Sequence, residues 1–317
     1  MRDIILQKLL EAEGGYVSGG LLSSQCGVTR SAVWKYIISL REQGFEIEAA
    51  TKKGYRLINV PNKLSAPVVQ YLVKDTMWNG VKLFDVLPST STYLKNLEQL
   101  SEGMAVFANA QTNGRGRRGK AWHSPDEGNI YLSVCFRPSF SVSNYPILSL
   151  LAGLAVARTL SETCGLNCGI KWPNDVVVNG KKICGILAEL AGELDAESYC
   201  IVGIGINMTN TKFPDSVSTP ATSVFIESNR NVPENSVAAA LLKNLEYEYR
   251  HIDTLPQRYR DYCLTLGKEV EVLSPRERFQ AKALDICDDG SLVVLRDSKE
   301  IRVNSGEVSV RGIYGYI

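Results

Sequence analysis

The apolar pattern of this 317-residue chain changes character twice, near Pro61 and after Gly267, so the chain cannot fold around one repeated unit. Before Pro61, Ile4, Ile5, Leu6, Leu9 and Leu10 recur at helical spacing, and Gly14, Gly15 and Ser18 break that helix. Residues 19–28 read as a short second helix stopped at Gly27. Thr29 suits the cap of a third, because its hydroxyl can accept from a free backbone N–H. That helix, residues 30–43, buries Val33, Ile37 and Leu40 and ends at Gly44. Two strand-like runs, 45–49 and 55–58, flank Lys52-Lys53-Gly54. This is the order of a winged helix-turn-helix, although a small helical cap with a hairpin shares it. The placement of charge favours a DNA reader. Arg30 and Lys35 lie in the third helix, where base edges and phosphates are met, and Lys52 and Lys53 lie at the wing tip. Thr29, Arg30, Lys35, Lys52 and Lys53 are the candidate DNA contacts.

The expected organisation is a multidomain α+β protein: a winged helix-turn-helix over 1–60, a linker with a short helix over 61–80, a mixed α/β domain over 81–266 and a small β-barrel over 267–317. In the central part, 81–86, 105–110, 130–136 and 199–206 read as strands, and 145–164, 237–250 and 256–266 as helices. After Gly267 come short runs at 269–273, 279–286, 292–295 and 300–303, with turn signals such as Asp288-Asp289-Gly290 between them.

Lys plus Arg number 35 and Asp plus Glu 34, a net charge of +1, so any nucleic-acid surface must be local. No apolar run reaches the roughly 18 residues of a membrane span, and the acids in the opening residues do not suit a signal peptide. The eight cysteines are scattered, without Cys-x-x-Cys, and Cys164 and Cys168 have no nearby histidine. They read as buried thiols in a reducing cytoplasm, with no metal site.

Four segments carry chemistry. In Gln111-Thr112-Asn113-Gly114-Arg115-Gly116-Arg117-Arg118-Gly119-Lys120-Ala121-Trp122, glycines alternate with cations. Glycine lets backbone N–H groups approach a ligand, and guanidinium groups supply bidentate donors to phosphate or carboxylate. Such a composition also suits a solvated basic tail, but here both ends are tied to strands. In Lys171-Trp172-Pro173-Asn174-Asp175, Pro173 stiffens a strand end and presents Lys171, which can neutralise a carboxylate and a phosphate about to be joined; a surface lysine before a turn is the plain alternative. Pro88-Ser89-Thr90-Ser91-Thr92 offers hydroxyls either to a neutral ligand head or only to a helix cap. Gly203-Ile204-Gly205-Ile206-Asn207 follows a strand but lacks the third glycine of a dinucleotide fingerprint.

In this order and at these separations, the four segments, together with Gly185-Ile186-Leu187-Ala188-Glu189, resemble the biotin–protein ligase family over nearly the whole chain. The N-terminal unit makes the chain similar to the bacterial form that is both ligase and repressor, and the resemblance implies that the terminal barrel is SH3-like. It implies biotin contacts from Ser89, Thr90, Ser91, Gln111, Arg115, Gly116, Arg117 and Lys171, and adenylate contacts from Arg117, Lys120, Trp122 and Asn174. Lys171 and Arg117 are the implied catalytic pair. The family often has Asn where Ser91 stands and Arg where Lys120 stands. Biotin and ATP, with Mg2+, are the implied substrates. A biotin carboxyl-carrier protein, operator DNA and a second copy of the chain (when biotinoyl-adenylate is bound) are the implied partners. Two other readings stay open: a biotin sensor without catalysis, against which the intact loop and Lys171 motif argue, and a lipoate or octanoyl ligase, which lacks the Lys-Trp-Pro-Asn-Asp segment.

Overall fold

The computed structural model describes all residues except 127, 193–197, 216, 218, 275, 276, 306–308, 313–315 and 317. The chain opens with α1 (Arg2–Glu11), α2 (Gly19–Cys26), α3 (Arg30–Glu42), β1 (Glu46–Ala50) and β2 (Gly54–Asn59). Ser18 caps α2 by accepting from the Leu21 amide at 3.1 Å, and Thr29 caps α3 by accepting from Ala32 at 3.2 Å. Gly27 ends α2 with φ of +64°, a left-handed conformation that costs glycine little. Ile5, Leu6, Leu9, Leu22, Val33, Ile37 and Leu40 fill the core between the helices. The antiparallel β1–β2 wing is tied to the helices by paired backbone hydrogen bonds between Val17 and Tyr55.

The linker is a packed joint. Its helix, α4 (Ala66–Leu72), sends Val68 into the N-terminal core and Val69 into the central one. Ahead of it, the Leu64 and Ser65 amides donate to the side chains of Glu234 and Asn235, and Asn235 Nδ2 donates back to the carbonyls of Pro61 and Lys63.

The central unit comprises β3 (Gly80–Leu87), α5 (Thr90–Lys95), β4 (Met104–Gln111), β5 (Ile130–Phe136), α6 (Ile147–Cys164), β6 (Gly169–Lys171), β7 (Asp175–Val178), β8 (Lys181–Ala191), β9 (Tyr199–Ile206), α7 (Val224–Ser228), α8 (Glu234–Arg250) and α9 (Leu255–Arg260). Its seven strands lie in the order β3-β4-β5-β9-β8-β7-β6, with β3 and β4 parallel and the other neighbours antiparallel. α6 is apolar almost all round because it is enclosed between this sheet and α8. The segment Val142–Cys164 is long and apolar enough to cross a membrane, yet most of it is buried inside the protein.

The helix expected over 256–266 stops at Arg260. Residues beyond it pair with β6 instead, Ile170 N donating to Tyr262 O at 2.7 Å and Leu264 N to Ile170 O at 2.9 Å. Satisfying that strand edge outweighs another helical turn. Nearby, the fully buried carboxylate of Glu248 on α8 binds Arg158 of α6 at 2.7 Å and also Arg258 of α9. Removing one partner of such a cluster leaves buried charge uncompensated. Glu248→Ala should therefore lower stability by about 3 kcal/mol, near the low end for buried pairs because both arginines are partly exposed. Urea denaturation would register this as a lower midpoint at unchanged slope.

The C-terminal unit adds β10 (Glu269–Leu273), β11 (Arg278–Ile286), β12 (Leu292–Arg296), β13 (Lys299–Val303) and β14 (Ser309–Gly312), an antiparallel sheet in the order β13-β12-β11-β10-β14. β14 carried no clear sequence signal. The unit packs on the central one: Val270, Val272, Ala283, Ile286 and Val294 belong to the same core as α6, and Trp172 Nε1 donates to the Gly290 carbonyl at 3.1 Å.

Candidate active site

One face of the large sheet carries a cavity lined by Ser89, Thr90, Ser91, Gln111, Arg115, Gly116, Arg117, Trp122, Asn174 and Lys182 over a floor from β5, β8 and β9. The floor is nearly bare backbone. Gly185 and Gly205 face each other across β8 and β9, and Gly203 pairs with Leu187. A Cβ at Gly185 would come within 2.7 Å of the Trp122 ring, one at Gly205 would overlap the indole, and one at Gly203 would lie 2.7 Å from Ser91 Oγ. Leu132, Ile186 and Ile204 also line the floor, while their side chains belong to the core. Absent side chains thus create a trough in which a flat or chain-like ligand can lie against the sheet.

One end of the trough is polar and uncharged. Ser89 caps α5 and buries its hydroxyl there, accepting from Thr92 N at 3.4 Å. Gln111 Oε1 accepts from the Thr90 amide at 2.9 Å and from Thr90 Oγ1 at 3.2 Å, while its Nε2 donates to Ser124 Oγ at 3.0 Å. Ser133 Oγ lies 2.7 Å from Thr90 Oγ1 and 2.9 Å from Ser91 Oγ. This buried hydroxyl cluster suits a neutral ligand head rich in donors and acceptors. Ser133 was not foreseen, because an isolated serine within an apolar strand gives no signal until its register is known.

The other end is cationic. The glycine–arginine segment forms a compact turn, closed by Gly116 N donating to Lys120 O at 2.7 Å and by a bridge between Arg115 and Ala121. The Arg115 guanidinium instead turns back toward the hydroxyl end, held at 2.8 Å by Glu189, whose same oxygen binds Lys95 of α5 at 2.8 Å. Arg117 Nη1 donates to Asn174 Oδ1 at 2.9 Å and its Nη2 to the Ser305 carbonyl. Burial pulls the Arg117 pKa below the ordinary arginine value, with Asp175 opposing the shift. Lys182 Nζ bonds Asp175 Oδ1 at 2.6 Å and lies 5.2 Å from the centre of the Trp122 ring. The Trp122 Nε1–H is buried and has no hydrogen-bond partner among the described residues.

Ser89, Thr90, Ser91, Gln111, Arg115, Gly116, Arg117, Trp122 and Asn174 therefore converge as the sequence suggested, and two cations do not. Lys120 is exposed and outside the lining. Lys171, expected at the reacting centre, is also outside it: it pairs in register with Asp175 but on β6, the last strand of the sheet, with its ammonium 3.8 Å from the centre of the Tyr316 ring. The lysine in the cavity is Lys182, at the start of β8, which carries no motif that would single it out in the sequence. In the N-terminal unit, Arg30, Lys35, Lys52 and Lys53 are all exposed. Arg30 and Lys52 line a second groove, between the start of α2 and the wing. Thr29 is occupied as a helix cap.

A glycine-floored trough with a neutral hydroxyl end and a cationic loop, behind a helix-turn-helix, defines a ligase that activates a small carboxylic acid. Residues 83–207 match the biotin/lipoate A/B protein ligase family, residues 2–56 an HTH domain and residues 265–311 the biotin protein ligase C-terminal domain. The chain belongs to the biotin protein ligase family, in the branch with an N-terminal helix-turn-helix. It is 33% identical to the bifunctional ligase/repressor BirA of Bacillus subtilis over 98% of both chains, and 28% identical to that of Escherichia coli over 95% of both. The biotin protein ligase of Aquifex aeolicus, solved in complex with biotin and ATP, is 29% identical and covers 74% of this chain and 99% of its own, with a TM-score of 0.65.

Proposed function

We propose that this protein activates biotin with Mg-ATP as biotinoyl-adenylate, transfers the biotinoyl group to a lysine of a biotin carboxyl-carrier protein in the cytoplasm, and represses transcription through its N-terminal unit. The observation that carries the ligase reading is the polarity gradient of one trough. A ureido head fits the hydroxyl end at Ser89, Thr90, Ser91 and Gln111. An alkyl chain fits the bare floor beside Leu187 and Trp122, and a carboxylate reaches Lys182 and Arg117.

In the first step the carboxylate oxygen attacks the α-phosphorus and pyrophosphate leaves; magnesium enters with the nucleotide. Two anions must meet, and Lys182 and Arg117 lower that repulsion and stabilise charge as it moves. Lys182 thus takes the role expected of Lys171. Trp122 and Asn174 serve the nucleotide side. In the second step the carrier's lysine amine attacks the anhydride carbonyl and AMP leaves. The decisive assay is biotin-dependent exchange of pyrophosphate into ATP, with lipoate as control. Exchange driven by lipoate and not by biotin would overturn the reading, and exchange with neither would leave a sensor.

Arg117→Ala should retain the fold and speed loss of the adenylate. Its anchors at Asn174 and Ser305 hold the loop in place, and losing a charge-assisted contact of this kind costs about 1.5–3 kcal/mol, roughly 10- to 150-fold in affinity. Adenylate dissociation as slow as in the wild type would remove Arg117 from this role.

A further inference from the structure

We infer that Tyr316 is a positioning residue for adenylate formation, fixing Asp175 and through it the direction of Lys182. The inference rests on the proposed role of Lys182 at the reacting carboxylate. Tyr316 comes from beyond β14, at the far end of the chain from the sheet it serves. Its hydroxyl donates to Asp175 Oδ2 at 2.7 Å. The other oxygen of the same carboxylate accepts from Lys182 Nζ at 2.6 Å and from Asn174 Nδ2 at 3.1 Å. The face of the Tyr316 ring covers the Lys171 ammonium at 3.8 Å.

One side chain thus touches both charged residues of the Lys171–Asp175 register pair and, through Asp175, a lysine that lines the cavity. A carboxylate held at one oxygen can still rotate about its Cβ–Cγ bond; held at both, it cannot turn without breaking a charge-assisted bond. The direction of the Lys182 ammonium is then set before the ligand arrives, which is the condition for electrostatic stabilisation without reorganisation. Burial and the neighbouring carboxylate push the Tyr316 hydroxyl well above the usual tyrosine range, so it stays a donor. The C-terminal unit makes further contacts at this cationic end, where carbonyls of Ser305 and Leu273 accept from Arg117 and Arg118. The site is therefore completed by a unit that supplies none of the sheet floor.

The test is Tyr316→Phe in the full-length protein, which keeps the ring over Lys171 and removes only the hydroxyl. Adenylate formation should show kcat reduced about tenfold with the KM for biotin changed by less than about twofold, because the hydroxyl end of the trough is untouched. A residue that merely supports the fold would instead lower the unfolding temperature and leave that split unseen. In an Asp175→Asn background, adding Tyr316→Phe should cost less than about twofold, since the two act as one unit. Wild-type kcat in Tyr316→Phe, or the same loss in both backgrounds, would overturn the inference. Lys182→Ala separates the two levels: a severe defect there beside a normal Tyr316→Phe defeats only the positioning role, whereas normal exchange by Lys182→Ala defeats the reading on which it rests.

Discussion

Lys182→Ala should reduce biotin-dependent pyrophosphate exchange by about 10²- to 10³-fold at saturating substrates, the usual effect of losing one preorganised charge stabiliser. Lys171→Ala should cost at least about tenfold less. Both lysines lie on the same face of the sheet as Asp175, but only Lys182 lines the cavity, whereas Lys171 lies on the last strand beneath the Tyr316 ring. A purely ground-state role for Lys182 predicts a higher KM for biotin with near-normal kcat, so initial rates over a full biotin titration decide the matter. If Lys171→Ala proves the more damaging change, the reacting centre lies nearer to the sheet edge than the trough indicates.

Operator DNA should bind about 5- to 150-fold more tightly once biotinoyl-adenylate occupies the site, the usual span of coupling between two sites, through dimerisation of the liganded protein. The candidate DNA contacts of one winged unit include only four cations, Arg30, Lys35, Lys52 and Lys53, all exposed, and hence few phosphate contacts. Two copies on a two-fold site double that count and lengthen the base readout. Ligand contacts that further restrain the Gly114–Gly119 loop before association would remove part of the entropy cost of an interface. The linker gives a physical route toward the DNA-binding unit, since neighbouring residues of α4, Val68 and Val69, are packed in two different cores. Sedimentation and operator binding at matched protein concentration should be compared without ligand, with biotin and with the adenylate. Equal dimerisation and equal affinity in all three would leave the N-terminal unit as a constitutive DNA anchor.

Much of the architecture was legible in the sequence because local rules control it. Helical spacing, the break at Gly14, Gly15 and Ser18 and the cap at Thr29 set out the first three helices, and the strands at Ile130–Phe136 and Tyr199–Ile206 carry continuous apolar runs. The glycine–arginine loop declared its chemistry by composition together with the strands at both its ends. The overlong final helix shows the limit: residues 262–264 are committed to the edge of β6, a partner about 90 residues away that no local pattern reveals.

The site divides along the same line. The residue types at its two ends, hydroxyls at 89–91 and arginines at 115–118, were fixed by the sequence, since short segments carry them as units. Which lysine lines the cavity was not. β7 and β8 pair Val176 with Cys184 but Val177 with Lys182, so Ile183 has no partner in β7. Strict alternation from Gly185 would have sent Ile183 to the cavity face and Lys182 to the other. The bulge reverses this, putting Ile183 in the core and Lys182 in the cavity. Tyr316 likewise means nothing beside its own neighbours and acquires its role only when the C-terminal unit docks against Asp175. Composition and period determine which elements form. Register and docking determine which side chains share a space, because both are settled by contacts between residues far apart in the chain.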